Sequence, residues 1–502
     1  DEEYKRMEQH GVYKAVKTKD LPKNVNVIDS TWAMKKKANG TFRARNAVRG
    51  FKQKDGIDYC EDTKAAPVVA EATIRVVLIL MIMGNFVGHL VDVNGAFLHG
   101  KFDDGEKVYM KVPQGFEKHF PEDVVLWLQK TQYGIKQAAY AFWLVLLAVM
   151  RIMGFDKSKA DSCLYFKWKD EQLVMWISWV DDCLCCAKDS TIEEMKNAFK
   201  KHFACDDVGE MKEYIGCKVE RNRDEGWLKF TQPVLLQSYQ DEFKLPKGSY
   251  STPGEPGKIL EACAEEEIME ASGMKEFRSG TGKLIHMKNW SRPDVLNATR
   301  ELSRFMSAAS PEHTKAMKRV MKFCVDTAER GLFLKPNGKW NGDKEFNFSV
   351  RGMSDSDFAK DTEKRRSVSG WVTFLCDAPV TAKSKMQEIT ALSVTEAELI
   401  AAVQCAQDML FIMRVLESME LKVKKPMVLE MDNQGAIDLI NNWSAGGRTR
   451  HMDVRYHFLR DLKLDKVIVV RHVASQDNCA DPMTKNLPGP LYEKHSQKLM
   501  RG

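Results

Sequence analysis

The chain has 502 residues, 44% apolar and 29% charged, enough to bury several cores and too rich for a low-complexity disordered polymer. Lysine plus arginine exceed aspartate plus glutamate by 76 to 70, a net charge of +6, which permits a nucleic-acid partner and excludes a histone-like polycation. The 12 cysteines, scattered along the chain, read as reduced intracellular thiols and not as a disulfide framework. Length alone suggests about three domains of roughly 150 residues.

In chain order, the first eleven residues (DEEYKRMEQHG) are charged and lack a signal-peptide core. The chain opens on Asp1 with no initiator methionine, so a piece of something longer is expected. Residues 42–52 crowd Arg43, Arg45, Arg49 and Lys52 together. An apolar helix is predicted over 70–83, a strand over 89–98, and a second strand over 173–187, whose β-branched and aromatic content suits a central position. The apolar runs 76–91 and 142–155 are interrupted by Gly84, Asn85, Gly88 and His89, or by Arg151, and read as core, with no membrane span. Residues 244–258, dense in Pro, Gly and Ser, read as a linker. Helices follow, the first starting at Pro293 and Asp294. After a break at 335–344, strands alternate with helices. There is no internal repeat.

Chemistry first suggests itself at Asp92 in VDVNGAF and at the adjacent Asp181 and Asp182 in WVDD. Acids ending an apolar strand are costly to bury without a cation. A pair of Mg²⁺ ions held by such carboxylates is what in-line phosphoryl transfer uses. Neighbours on a strand face opposite ways, so only one of Asp181 and Asp182 would meet Asp92 unless a tight turn re-aims the other. The alternative is that the pair merely opens a hairpin.

The blocks FRARNAVRGFKQKDGIDY, VDVNGAFLHG, VYMKVPQGF, QYGIKQA, KADSCLYFKW, WVDD and EYIGCKVE, in this order, resemble the Pol polyprotein of copia-type LTR retrotransposons. The resemblance covers nearly the whole chain. It implies a right-hand α+β palm-and-fingers polymerase, then a helical connection, then an α/β RNase H-like domain. The implied map is fingers and start of palm at 1–90, palm and start of thumb at 91–243, linker and helical connection at 244–345, RNase H-like domain at 346–490 and a tail at 491–502. Asp92, Asp181 and Asp182 correspond to the metal-binding aspartates of reverse transcriptase. Phe97 matches the aromatic gate that excludes a ribose 2′-OH. Gly134 would let backbone approach template or nucleotide, with Lys136 beside it. Arg43 and Arg45 fall in the fingers near an incoming triphosphate, where forked donation suits phosphate. The family's Tyr before VDD is Trp179 here, a position that touches the primer end in relatives. The family's Pro-Arg after QYGIKQA is replaced by Ala139 and Tyr140.

In the last third stand Asp355 in GMSDSDFA, Glu398 in VTEAELIAA, Asp432 in EMDNQGA and Asp481 in QDNCADPMTK. Four converging acids would repel unless cations sit among them. These blocks, with RRSVSGW and RTRHMDVRYHFLRD, resemble the RNase H domain of the same elements. Carried over, Asp355, Glu398, Asp432 and Asp481 would hold two Mg²⁺ ions, with Mn²⁺ as a substitute. Glu396 is the solvent-facing alternative to Glu398, and Asp357 a supporting neighbour. Arg448, Arg450 and Arg455 are placed against substrate phosphate. No histidine occurs at 473–480, where cellular relatives often have one, and His472 is not read as catalytic.

The implied function is RNA-directed DNA synthesis plus hydrolysis of the RNA strand of a hybrid. The implied partners are RNA template, DNA primer, RNA–DNA hybrid, dNTPs and other polyprotein products such as integrase and gag, with no membrane. Relatives work in cytoplasmic particles, with the nucleus as a second compartment. The rival expectation is a decayed or co-opted copy that binds nucleic acid without polymerising. Three further signals are discounted. His451 and His457 lack a cysteine pair at zinc spacing, Cys183, Cys185 and Cys186 read as core, and GTGK at 280–283 lacks the first glycine of a phosphate-binding loop.

Overall fold

A computed structural model describes residues 2–36, 40–61, 64–103, 105–441 and 453–502. The chain forms two compact units, not the three that length suggested: Asp1–Ala70 with Gly88–Glu210, and Glu71–Val87 with Met211–Gly502. The apolar helix Glu71–Met83 therefore groups with the C-terminal part of the chain and not with the segments on either side of it. The reason is that all but its first residue are buried there. Its Arg75 donates to the Val380 carbonyl at 2.8 Å, and Glu71 pairs with Lys383 at 2.9 Å.

The first unit is built on a six-stranded sheet ordered Cys205–Glu210, Val87–Val93, Asp182–Ala187, Gln172–Trp179, Leu164–Lys169 and Asp156–Lys157. The apolar run predicted as one strand over 173–187 is two strands folded back on each other, with Trp179 opposite Asp182. Val180 turns the corner at φ 56°, a left-handed conformation that costs a β-branched residue steric energy. Residues 173–178 and 183–187 are all buried, which is why this stretch reads as continuously apolar instead of alternating. Behind them Trp176 packs on Phe199, ring centres 4.6 Å apart, from helix Asp189–Lys200. Cys183, Cys185 and Cys186 are fully buried, as read, and all 12 cysteines are free thiols. A separate hairpin, Ser30–Lys36 with Phe42–Val48, carries Arg43 and Arg45 on the same side of one strand.

The second unit contains a mixed sheet ordered Ala378–Met386, Val368–Leu375, Val350–Asp357, Met427–Met431 and Ile468–His472. The first three strands are antiparallel and the last two join in parallel, the mixed sheet with helices expected for the last third. Helix Val394–Ser418 packs along the central strands. By length and apolar composition it could cross a membrane, yet here it is a core helix, with Glu396 and Glu398 buried in its first turns.

Two segments differ from expectation. The stretch 244–258 is no free tether: Thr252 and Pro253 are buried, and Asn486 joins it through Gly257 N to Asn486 O at 3.0 Å and Asn486 Nδ2 to Lys258 O at 3.0 Å. Residues 491–502 are no loose tail either. Tyr492 donates to buried Asp294 at 2.9 Å, and Met500–Arg501 pairs with strand Gly331–Leu334. Composition marks such segments as irregular but cannot report what they are tied to. GTGK lies inside helix Ala271–Trp290, where Gly280 admits the thioether of Met317, so it is a packing glycine.

Candidate active sites

In the first unit Asp92 lies one residue before the end of strand Val87–Val93, and Asp181 and Asp182 lie at the turn of the hairpin beside it. Val93 N donates to the Asp181 carbonyl at 3.1 Å, so the turn is tied to the Asp92 strand by backbone. A tight turn is therefore what brings both members of the pair to this edge, with Asp181 in the turn and Asp182 opening the return strand. The Asp92 carboxyl is pushed up to about 6, first by burial, then by the negative charges of Asp181, Asp182 and Asp206, while Arg45 pulls it down. Burial and Asp181 likewise raise Asp182.

Asp206 was not singled out from sequence. It lies directly opposite Asp92 in the antiparallel register of Cys205–Glu210 and accepts from the Asn94 amide at 3.1 Å. Its neighbour Asp207 is instead held by Lys196 at 3.0 Å and Lys200 at 2.5 Å. The only signal was an acidic doublet in CDDVGE, and cross-strand register decides which of the two meets Asp92.

The other candidates in this unit divide. Arg45 lies 4.4 Å over the Tyr133 ring, and Phe97 meets the same ring edge-on at 5.7 Å, so both surround one aromatic beside the acids. Arg43 is half-buried two residues earlier on the same strand. Trp179 is half-buried opposite Asp182. Gly134 needs another explanation than ligand approach. At φ 88°, a Cβ there would sit 2.0 Å from the Val48 carbonyl oxygen, so its missing side chain makes room for this chain's own backbone. Lys136 is likewise engaged within the fold, donating to the Tyr59 hydroxyl at 2.8 Å with its ammonium 4.1 Å over that ring.

In the second unit the acids gather more tightly. Asp355 comes from the central strand Val350–Asp357, Asp432 from just beyond its parallel neighbour Met427–Met431, and Glu398 from helix Val394–Ser418. Among the described residues, these three alone bring one ligand atom each within 4.8 Å of one another; Asp92, Asp181 and Asp182 do not. Glu398 Oε1 accepts from Ser356 N at 3.2 Å and Ser356 Oγ at 2.9 Å, while its buried Oε2 has no hydrogen-bond partner. Burial, then Asp355 and Asp432, raise the Glu398 carboxyl; burial and the acids Asp481 and Asp432 raise Asp355 against the pull of Lys485. An orphaned buried oxygen among three hard oxygen donors fits a divalent cation of the Mg²⁺ or Mn²⁺ type.

Asp481 stands apart from the trio. Its Oδ1 is paired with Lys485 Nζ at 2.5 Å, although Asp432 still acts on it electrostatically. Asp357 is neutralised by Lys360 at 3.0 Å. Glu396 is buried and not solvent-facing: its carboxylate accepts from Leu392 N at 2.7 Å while its own N–H donates to Ser393, closing the helix start. His451, Arg448, Arg450 and the side chain of Arg455 lie outside the described residues.

Residues 11–252 match the family described as reverse transcriptase (RNA-dependent DNA polymerase). Over 98% of its length the chain is 31% identical to a retrovirus-related Pol polyprotein from transposon TNT 1-94 of Nicotiana tabacum. The chain is thus similar, over nearly its whole length, to a retrovirus-related Pol polyprotein of a plant transposon. A second such polyprotein, from transposon RE1 of Arabidopsis thaliana, is 28% identical over 95% of the chain. The chain spans 37% and 32% of the lengths of these two relatives. Among solved structures, a foamy viral protease-reverse transcriptase in complex with double-stranded DNA covers 93% of this chain and 68% of its own, at 10% identity and a TM-score of 0.47. The chain's first acid group lies within the matched segment, and the Asp355 group lies beyond it.

Proposed function

We propose that this chain is an RNA-directed DNA polymerase with a hybrid-cleaving ribonuclease centre, acting on an RNA template, a DNA primer, dNTPs and an RNA–DNA hybrid. The single observation that carries the reading is the convergence, in a chain with this relationship, of acids from separate segments at two places. Residues 1–243 would house synthesis and 346–490 cleavage.

In the synthetic centre Asp92, Asp181 and Asp182 would hold divalent ions, Mg²⁺ first among them. In the cleaving centre Asp355, Glu398 and Asp432 would do so, with Asp481 as the fourth member. When bound, such ions supply Lewis-acid stabilisation of the charge that develops on phosphoryl oxygens. The rest is done by the chain's own groups. Ser356 fixes one oxygen of Glu398 and leaves the other buried without a hydrogen-bond partner. The Thr484 hydroxyl donates to Asp355 and orients it. In the first unit Arg45, braced on Tyr133, places positive charge near Asp92, where a triphosphate would be drawn, with Arg43 on the same strand. Phe97 flanks that ring as the candidate sugar-excluding group.

A second reading, a copy that binds nucleic acid without polymerising, is favoured by Trp179, Ala139 and Tyr140 standing where the family pattern differs. One paired assay separates them. Asp181→Asn should abolish primer extension and leave hybrid cleavage, and Asp432→Asn should do the reverse. Wild-type protein that shifts a hybrid in a gel yet shows neither activity with Mg²⁺ or Mn²⁺ would establish the second reading.

A further inference from the structure

We propose that Lys485 is a resident counter-cation of the Asp355 cluster, withholding the fourth carboxylate, Asp481, from a second divalent ion until the lysine moves into solvent. The proposal rests on the reading of this cluster as a divalent-cation centre. It concerns the order in which the cluster fills.

Asp481 is nearly fully buried, at 5% exposure, and the charges of Asp432 and Asp357 act on it. An acid so placed needs a positive partner. The partner in place is Lys485, one helical turn further on, whose own N–H also donates to the Asp481 carbonyl at 3.3 Å. Two lysines enter this region, and they differ in what holds them. The Lys360 side chain is 4% exposed and fixed by three groups: the Thr484 carbonyl at 2.7 Å, Asp357 at 3.0 Å and Glu301 at 3.6 Å. The Lys485 side chain is 43% exposed. Its ammonium can therefore swing into water along a flexible stem, whereas that of Lys360 cannot without leaving three groups behind.

The cluster thus offers two unequal positions. The first lies among Asp355, Glu398 and Asp432, where the Glu398 Oε2 atom already lacks a hydrogen-bond partner. The second requires Asp481, and an ion arriving there must replace a charge that is already bound. Two ions should then load in well-separated steps, the second at higher concentration.

The test is a Mn²⁺ titration of the full chain, with free Mn²⁺ read by electron paramagnetic resonance. Asp181→Asn and Asp182→Asn are included throughout to silence the first unit's acids. The ions assigned to the cluster are those that Asp432→Asn removes. In Lys485→Gln the second ion should bind about tenfold more tightly and the first should tighten by less, since the Lys485 charge acts on Asp355 as well but is paired with Asp481, and one close unit charge opposing a cation is worth at least that factor. Lys485→Arg should keep the wild-type spacing, and Asp481→Asn should delete the second step. Equal second steps in wild type and Lys485→Gln, a parallel shift of both steps, or no Mn²⁺ that Asp432→Asn removes would each overturn the proposal. Hybrid cleavage is scored separately. If the two steps behave as expected but no metal concentration yields cleavage, the ribonuclease reading falls and the role of Lys485 stands.

Discussion

Asp92→Asn should stabilise the metal-free protein, and only above acidic pH. The Asp92 carboxyl rises from 3.8 to about 6 on folding, through burial and the facing charges of Asp181, Asp182 and Asp206. A shift of roughly two pKa units would be worth up to about 3 kcal/mol in full. Asp92 is only half-buried, and solvent screening brings this to about 1–2 kcal/mol. The sign follows from linkage. A carboxyl raised on folding is protonated in both states below its unfolded value, so the wild type bears no cost there. As pH climbs from about 4 to about 6, the unfolded chain ionises first and wild-type stability falls. Above that window the full cost is present. Asparagine removes it, so the urea midpoint of Asp92→Asn should match wild type at pH 4 and exceed it at pH 8. Adding Mg²⁺ at pH 8 should raise the wild-type midpoint and narrow the gap. A variant no more stable than wild type at pH 8 would refute the argument that burial, with the charges of Asp181, Asp182 and Asp206, makes an ionised Asp92 costly to the fold.

Three substitutions probe residues whose work is structural. Gly134→Ala should cost more than about 3 kcal/mol in urea denaturation, with or without nucleotide, because it combines a left-handed backbone with a clash on the Val48 carbonyl. Tyr492→Phe should lower stability by about 1.5–3 kcal/mol, since its hydroxyl is hydrogen-bonded to the buried Asp294 carboxylate that also pairs with Arg292 at 2.9 Å; an unchanged midpoint would mean that this hydrogen bond does not hold the segment in place. Glu396→Ala should cost about 1 kcal/mol by opening the helix start at Ser393 and leave Mn²⁺ binding intact, whereas Glu398→Gln should weaken Mn²⁺ binding, a contrast that equilibrium titration reads directly.

What could be read from the amino-acid order were the acids themselves and the elements that carry them. Asp92 near a strand end, the Asp181–Asp182 doublet and Glu398 on a long helix follow from local pattern, because strand and helix periods are set by neighbours a few residues away. The helix start at Pro293 was legible for the same reason. Pattern also misled where burial on both sides erased alternation: residues 173–187 look like one strand, and only the fold shows the corner at Val180. The remaining decisions involve partners far apart in sequence. Asp206 rather than Asp207 faces Asp92 because of cross-strand register, Gly134 yields to Val48, and residues 71–87 belong with the C-terminal part of the chain because that is where their apolar surface is buried. Lys485, four residues from Asp481, was visible all along as a letter; that it carries the charge balancing a buried acid is a property of the assembled site. Composition and short-range order decide which groups are available, and long-range packing alone decides which charges must share a space from which water is excluded.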